Sequence, residues 1–406
     1  MDLGMSERVR PMVEAMRRFI QDEVMPVEAE YQAEIGHTGD RWQPTDRMRK
    51  IVADLQKSAR SKGLWNLFLT DKEHGAGLTT VEYAYLAEEM GWSPLAPIAT
   101  NCAAPDSGNM EALLRYGSKE QQDRWLKPLL DGEIRSSFVM TEPDVASSDA
   151  TNIRMPAVLD GDEWVLNGEK HFSSGIGDPN CKIMIVMVKT NPDAERHQQH
   201  SQILVPTDTP GVEILRPMTI FGHDGAPHGH MHLRFTNVRV PKDNIIWEPG
   251  RGFEIAQGRL GPGRIHHAMR AIGQAERALK LMCERSLDRV AFGKPLAQLG
   301  ANHDIIAESR MAIEMARLLC LKAAWMIDTG SVREAQLHIS MIKVIAPRVA
   351  IETVDEAIQI HGAAGLSQDF PLAEMYMSAR TLRLADGPDA VHRRQIARAE
   401  LKKYKN

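Results

Sequence analysis

The periodicity of apolar residues changes twice along the chain, and these changes constrain the fold more than any other feature of the sequence. Residues 5–130 carry apolar side chains at helical spacing. Residues 136–245 instead contain short runs rich in β-branched residues, and Asp160-Gly161 between two of these runs is typical of a tight hairpin turn. Helical spacing returns after Pro249-Gly250 and continues to the end of the chain. The sequence therefore predicts a multidomain α+β protein in the order α, β, α.

Three domains follow from this order. We expect an N-terminal α-helical domain over 1–135, a central, mostly antiparallel β domain (a small barrel or sandwich) over 136–245, and a C-terminal four-helix bundle over 246–406. Strands are predicted at 137–140, 164–166, 183–188, 202–205 and 231–235. The apolar face of the first bundle helix is predicted to carry Ile272, Ala275, Leu279, Met282 and Val290.

The composition is that of a globular enzyme and argues against several other classes. The chain has 406 residues with a net charge of −5, which provides no broad basic field for nucleic acid or an anionic membrane. Its four cysteines are far apart and include no CxxC pair, which favours reduced thiols over a disulfide framework or a zinc site. No apolar run approaches the roughly 18 residues of a membrane span, and the N-terminus lacks the apolar segment of a signal peptide. These features predict a cytoplasmic protein.

Two segments near the C-terminus indicate chemistry. Residues 359–365 place glycines between amphipathic stretches, and the accessible backbone N–H groups of such a turn suit a pyrophosphate. Asp386-Gly387 follows at the end of an apolar run and offers a carboxylate suited to act as a base. Together they suggest a nucleotide cofactor beside a proton-abstracting residue.

Five segments resemble motifs of the acyl-CoA dehydrogenase family, in the same order and at similar distances. They are 140–149 (the TEPxxxSD loop), 164–174 (the VLNGxKxWIT segment), 238–241 (the VxVP strand), 289–293 (the RxxFG motif) and 359–365 (the QxxGGxG turn). The resemblance implies FAD as the cofactor, held between the β domain and the helical bundle. It also implies an oxidoreductase of fatty acid β-oxidation that converts an acyl-CoA to the trans-2-enoyl-CoA and passes electrons to an electron-transferring flavoprotein.

The resemblance also assigns individual contacts. Thr141 would bond the pyrimidine edge of the flavin, while Phe172 and Ser174 replace a flanking tryptophan and a threonine near N5. Arg289 and the 359–365 turn would reach FAD in a neighbouring subunit, which implies a homo-oligomer, either dimer or tetramer. The full cofactor set is Met140, Thr141, Ser148, Phe172, Ser174, Arg289, Phe292, Gln359, Gly362 and Ala363. The expected substrate contacts are Ser148, Arg264 and Gly387.

Asp386 is the predicted catalytic base. By the resemblance, Asp386-Gly387-Pro388 matches an EGT turn whose glutamate removes the α-proton, and the sequence is similar to a subgroup that carries Asp-Gly-Pro there. Other members place the base at the position of Gly263, which has no carboxylate. Two readings remain open: Asp386 caps a helix or pairs with Arg383, or Asp389 is the base instead. Pro388 and Ala363 depart from the family pattern, which leaves the strength of FAD binding open.

The histidines allow further readings. His230 and His232 would share one face of a strand within reach of one metal ion, but the family needs no metal there, so none is expected. His266 and His267 lie near the predicted active site, where packing is the more common role. Arg264 is either an active-site arginine or one paired in the core.

Two other functions stay open. Aspartate is also the base of the related nitroalkane oxidases, in which oxygen reoxidises the flavin. A non-catalytic flavin-binding protein like the alkylation-response relatives would bind DNA through a basic face, which the acidic balance of this chain disfavours.

Overall fold

The computed structural model describes residues 1–405, except for the side chain of Leu260. The backbone packs as two compact units. One contains Val27–Ala76 and Ile98–Leu260; the other contains Met1–Pro26, Gly77–Pro97 and the chain from Gly261 onward. We call them the β unit and the bundle unit and describe each by itself.

The helices are α1 (Arg10–Phe19), α2 (Met25–Ala33), α3 (Asp46–Ser61), α4 (Thr80–Met90), α5 (Ala96–Ala99), α6 (Asp106–Tyr116), α7 (Lys119–Gln121), α8 (Lys127–Leu130), α9 (Gly252–Asp288), α10 (Asn302–Thr329), α11 (Val332–His361), α12 (Leu372–Thr381) and α13 (Asp389–Lys402). The strands are β1 (Arg135–Val139), β2 (Ala157–Asp160), β3 (Glu163–Ser174), β4 (Cys181–Lys189), β5 (His200–Pro206), β6 (Val212–Pro217), β7 (His230–Pro241), β8 (Val290–Ala291) and β9 (Lys294–Pro295). The observed order α, β, α confirms the predicted fold class.

Two sheets form the centre of the β unit. One has the order β1-β4-β5 and the other β2-β3-β7-β6, and their apolar faces share one core, which includes Leu166, Val186 and Leu233. The pairing is antiparallel except between β1 and β4, which run parallel. The prediction of a mostly antiparallel domain is therefore confirmed, with one parallel pair that strand patterning alone does not reveal.

The predicted hairpin joins β2 to β3. Asp160 pairs with Glu163, so the loop contains two residues, and Gly161 has φ +63. Two-residue hairpin turns require positive φ, which glycine adopts without strain. The turn therefore sets the register of β3, the strand that carries two of the predicted flavin contacts.

Helices α1, α4 and α9–α13 make up most of the bundle unit. Asp328 near the end of α10 accepts hydrogen bonds from the backbone N–H groups of Thr80 and Val81, at 2.7 and 2.9 Å. A carboxylate on the first turn of α4 satisfies donors that the helix cannot pair internally. Val290, predicted on the face of the first bundle helix, is instead exposed in β8, because α9 ends at Asp288.

A network of charged side chains joins three helices of the bundle unit. Arg317 on α10 contacts the carboxylates of Glu88 on α4, Glu276 on α9 and Glu314 on its own helix. Arg310 adds a second guanidinium on Glu276, at 2.6 Å. Because the Arg317 side chain is mostly buried, this network fixes how these helices pack. Over residues 1–405, the structure contains no helix with the length and apolarity required to cross a membrane.

Candidate active site

A buried ion pair holds the loop that follows β1. The side chain of Lys170 is fully buried, and its ammonium donates to the Glu142 carboxylate at 2.9 Å and to the Met140 and Met187 carbonyls at 2.9 and 2.6 Å. The backbone N–H groups of 154–155 donate to the same carboxylate. Burial lowers the pKa of Lys170 to about 8, against the opposing effect of the Glu142 charge. The loop that carries Met140 and Thr141 is therefore held rigidly.

Within this loop, the two neighbouring serines differ in role. Ser147 is buried, and its Oγ accepts a hydrogen bond from the Glu142 N–H at 2.9 Å. Ser148 is exposed, as expected of a residue that contacts a bound molecule. The Thr141 carbonyl accepts from the His171 N–H at 2.9 Å, which ties the loop to β3.

Phe172 lies on β3 at a break in the pairing with β7, and Ser174 pairs with His230 just beyond this break. The backbone of Phe172 has φ +52, a strained conformation for a residue with a bulky side chain. Phe172 is also 45% exposed, so part of its ring is accessible. The Ser174 hydroxyl lies 2.8 Å from Nδ1 of His230, and the buried hydroxyls of Ser173 and Ser137 have no hydrogen-bond partner among the described residues. The exposed aromatic ring of Phe172 is the feature of this segment that is accessible to a flavin ring.

We expect Lys170→Met to weaken the β unit and its hold on FAD. The substitution removes three hydrogen bonds, but Glu142 keeps two backbone donors, so the loss of unfolding free energy should be about 2 kcal/mol. Chemical denaturation and FAD titration measure the two effects. Exposed Lys182→Met is the control. Unchanged stability and FAD affinity in Lys170→Met would contradict this role.

The predicted contacts to the ADP half of FAD all lie in the bundle unit and are exposed. Phe292, which follows β8, forms with Gly293 a two-residue turn in which both residues have positive φ, and Phe292 is 98% exposed. Arg289 directly precedes this hairpin and is also exposed. An apolar ring in a strained turn, with a guanidinium three residues before it, is an arrangement typical of a ligand or subunit contact.

The glycine turn after α11 explains why Ala363 is tolerated. Gly362 has φ +66, and a side chain there would be strained. A Cβ at Gly365 would lie 2.9 Å from the Ile358 Cα, so this position needs glycine for packing. Ala363 has no positive φ and is exposed, so its methyl group requires no adjustment of the backbone.

Asp386 lies in the turn between α12 and α13 and has φ +55, a left-handed conformation that aspartate adopts more readily than most residues. Arg264 on α9 donates from Nε to the Asp386 carbonyl at 3.2 Å. Lys343 on α11 is almost fully buried and donates to the carbonyls of Leu382 and Ala385 at 2.8 and 2.9 Å. Burial lowers the pKa of Lys343 to about 8, and the Asp386 charge opposes the shift. Two cations thus hold the backbone of the turn.

The rival carboxylate Asp389 has another partner. Its Oδ2 lies 2.6 Å from an Arg383 guanidinium nitrogen, at the start of α13. The arginine that was considered as a partner for Asp386 therefore contacts Asp389. Asp389 is therefore held by an ion pair within its own segment.

Gly387 and His392 pack against each other. Gly387 has φ +106, and a Cβ there would lie 2.8 Å from Nε2 of His392, so only glycine fits. His392 is 2% exposed, and its imidazole packs directly against the backbone of Gly387. Burial, together with the charges of Arg264 and Lys343, lowers the pKa of His392 to about 4.

The buried His392 makes folding sensitive to acid. Between pH 6.5 and about 4 the unfolded chain binds a proton that the folded protein excludes, so stability falls as pH decreases through this window. At pH 5 the free energy of unfolding should be about 2 kcal/mol lower than at pH 7. The pH then lies about 1.5 units below the pKa of a histidine in the unfolded chain, and each unit contributes about 1.4 kcal/mol. Denaturation at both pH values should show a smaller difference for His392→Leu, whereas exposed His303→Leu should match the wild type. Equal differences in all three proteins would refute the assignment.

Two of these groups were not predicted from the sequence. Lys343 is a single charged residue within an apolar stretch of α11, and this placement is the signal that identifies it. His392 gives no such signal in a polar C-terminal segment. His266 packs edge-on against Tyr83, with ring centroids 4.6 Å apart, whereas Nε2 of its neighbour His267 lies 3.4 Å from Oδ2 of Asp386.

The histidines of β7 have ordinary protein partners. His230 contacts Ser174, and His232 lies 2.9 Å from Glu169. Across residues 1–405, no three His, Cys, Asp or Glu side chains are grouped in a way that would hold a metal ion.

Comparison with known proteins decides the family. The N-terminal, middle and C-terminal domain models of acyl-CoA dehydrogenases match residues 6–133, 137–238 and 250–401. A Mycobacterium tuberculosis protein assigned as an acyl-CoA dehydrogenase is 52% identical over 100% of this chain and 98% of its own length. The chain belongs to the acyl-CoA dehydrogenase family. Members of this family are FAD-dependent oxidoreductases, so the chain is a flavoprotein enzyme of this class.

Further relatives include a longer protein and two solved structures. Acyl-CoA dehydrogenase family member 10 of Mus musculus is 53% identical over 98% of this chain, which spans only 37% of that protein. A solved structure from Mycobacterium abscessus, assigned as an acyl-CoA dehydrogenase, is 54% identical with a TM-score of 0.95 and covers 99% of this chain and 100% of its own. Butyryl-CoA dehydrogenase from Megasphaera elsdenii is 26% identical with a TM-score of 0.82, covering 99% and 100%.

Proposed function

We propose that this acyl-CoA dehydrogenase removes the α-proton and β-hydride of an acyl-CoA thioester to give the trans-2-enoyl-CoA, with Asp386 as the base. The observation that carries this assignment is the geometry of the Asp386 turn. Arg264 and Lys343 hold its backbone carbonyls, while the carboxylate remains about a quarter exposed. A base needs this combination of a fixed backbone and an accessible side chain.

The cofactor contacts are part of the same proposal. In the β unit, Met140, Thr141, Ser148, Phe172 and Ser174 would contact FAD. In the bundle unit, Arg289, Phe292, Gln359, Gly362 and Ala363 would contact the ADP half of the FAD bound to a neighbouring subunit. When bound, FAD supplies the hydride acceptor. Hydroxyl and backbone donors on a rigid loop would stabilise the charge that develops there, since they need no reorganisation.

Substrate and partner contacts complete the proposal. Ser148 and Gly387 would contact the acyl-CoA, and Arg264 would act beside them through the Asp386 turn. We further propose a homo-oligomer and an electron-transferring flavoprotein as the electron acceptor. The Phe292 ring, which is almost fully exposed in a turn with positive φ, is accessible for such a subunit contact.

Anaerobic reduction of the flavin by a panel of acyl-CoAs tests the reaction. We expect loss of the flavin absorbance with at least one straight, branched or hydroxylated acyl-CoA, and an enoyl-CoA product in equal amount. The aspartate base is equally compatible with nitroalkane oxidation. Oxygen uptake with a nitroalkane, and no reduction by any acyl-CoA, would replace the proposed reaction with that one.

A further inference from the structure

The Asp386 carboxylate faces a histidine on α9. Nε2 of His267 lies 3.4 Å from Oδ2 of Asp386, and both side chains are about a quarter exposed. One helical turn further along α9, Arg270 places a guanidinium nitrogen 3.3 Å from Nδ1 of the same imidazole. The three side chains therefore form a chain of contacts that ends at the proposed base.

The order of donors along this chain fixes the tautomer of His267. A guanidinium has only donors, so the contact from Arg270 requires a lone pair on Nδ1. A neutral imidazole with an unprotonated Nδ1 carries its proton on Nε2, the nitrogen that faces Asp386. The imidazole consequently presents an N–H to the carboxylate.

A neutral donor suits a base better than a cation does. An arginine or lysine paired with the carboxylate would stabilise its ionised form strongly and weaken it as a base. The nearby cations donate their hydrogen bonds to the backbone, Arg264 to the Asp386 carbonyl and Lys343 to the carbonyls of Leu382 and Ala385, so that they act on the carboxylate through their charge alone. An uncharged N–H orients the carboxylate while it retains most of its basicity.

We propose that His267 is a positioning residue that orients the Asp386 carboxylate for proton abstraction, and that Arg270 holds His267 in the tautomer this requires. The inference rests on the proposed function, since it assumes that Asp386 is the base. Aspartate is one methylene shorter than the glutamate of the family motif, so its side chain has less reach, and misplacement by about 1 Å lowers rates about 10²-fold.

The test compares three variants of the holoenzyme by anaerobic flavin reduction with the best acyl-CoA across a range of pH. His267→Leu removes the donor and should slow reduction about 10²-fold. It should also move the acid limb of the profile to higher pH, because the ionised carboxylate loses a donor. His267→Gln keeps an N–H at a similar reach and should retain most of the rate. Arg270→Met allows His267 to adopt either tautomer and should lower the rate of flavin reduction about 2- to 10-fold, the equivalent of one hydrogen bond.

The position of the acid limb of the pH profile distinguishes a positioning role of His267 from a role in packing alone. The other charged or titratable groups around this turn are Arg264 on α9, Lys343 on α11, and Asp389 and His392 on α13. They are unchanged in all three variants, so a shift of the limb reports the loss of the His267 donor. Equal rate losses in His267→Leu and His267→Gln with an unmoved limb would overturn the inference, as would a wild-type profile in His267→Leu.

Folding and the identity of the base are controlled separately. FAD content and melting temperature are measured for each variant; should His267→Leu lose FAD, the outcome is decided by His267→Gln and Arg270→Met. Full activity in Asp386→Asn would remove the proposed base itself. An inactive Asp386→Asn together with a normal His267→Leu would remove only the role of His267.

Discussion

Asp386→Asn is expected to slow flavin reduction by acyl-CoA about 10²- to 10⁴-fold, the range contributed by a positioned general base. Asparagine keeps the size of the side chain and tolerates the left-handed backbone at φ +55, so the turn and the bound FAD should persist. Rapid-mixing measurement of the flavin absorbance under anaerobic conditions gives the rate. The flavin spectrum before mixing verifies that the cofactor is present.

Asp389→Asn is the matched control. It also neutralises one carboxylate of the same segment, but Asp389 is paired with Arg383. Its effect should therefore appear in stability, with the rate of flavin reduction kept within about 10-fold, the kinetic equivalent of one hydrogen bond. A normal rate in Asp386→Asn with a large loss in Asp389→Asn would transfer the role of base to Asp389.

Arg317→Met should lower the free energy of unfolding by about 3–5 kcal/mol, because it leaves the largely buried Glu88 carboxylate without its cation. Arg317 contacts Glu88, Glu276 and Glu314, and burial already raises the pKa of Glu88. Without this guanidinium, Glu88 would face the negative charge of Glu276, which keeps Arg310 as its partner. Urea denaturation, followed by circular dichroism, measures the loss.

Arg348→Met provides the comparison on the surface of the same unit. Arg348 and Glu352 form an exposed pair one helical turn apart, with the charged atoms 3.8 Å apart. Such pairs contribute about 0–1 kcal/mol, so this variant should unfold at nearly the urea concentration of the wild type. Equal losses in the two variants would show that the buried network has no special role in stability.

Much of the fold could be predicted because it depends on local patterns. The Asp160-Gly161 turn and the flanking alternation determine the β2–β3 hairpin. Four of the predicted strands fall within β3, β4, β5 and β7, and the one at 137–140 extends one residue beyond β1. The end of α9 could not be placed, because Val290 continues the apolar spacing beyond the last helical residue. The parallel pairing of β1 with β4 depends on contacts between segments about 45 residues apart, which periodicity does not encode.

For the candidate site, the sequence suggested reacting groups but not the residues that hold them in place. Asp386 and Phe172 lie within motifs, so the resemblance assigned their roles, and these roles remain predictions. Lys343 and His267 contact the Asp386 turn, which is distant from them in the sequence, so residue spacing does not reveal these contacts. The contact between Arg270 and Nδ1 of His267 depends on the protonation of the imidazole, which the sequence does not encode. The three-domain division at 135 and 245 also remains a proposal.

The bundle unit draws on three separate stretches of the chain, and this affects how the protein can be divided. Asp328 binds the first turn of α4, and Arg317 binds Glu88 on the same helix, although about 230 or more residues separate these partners. If the C-terminal helices were expressed as a separate fragment, Asp328 would lose the backbone N–H groups that it binds, and Arg317 would lose the Glu88 carboxylate. Proteolytic trimming of the N-terminal third should thus collapse the distal helices as well, so that both ends of the polypeptide melt together.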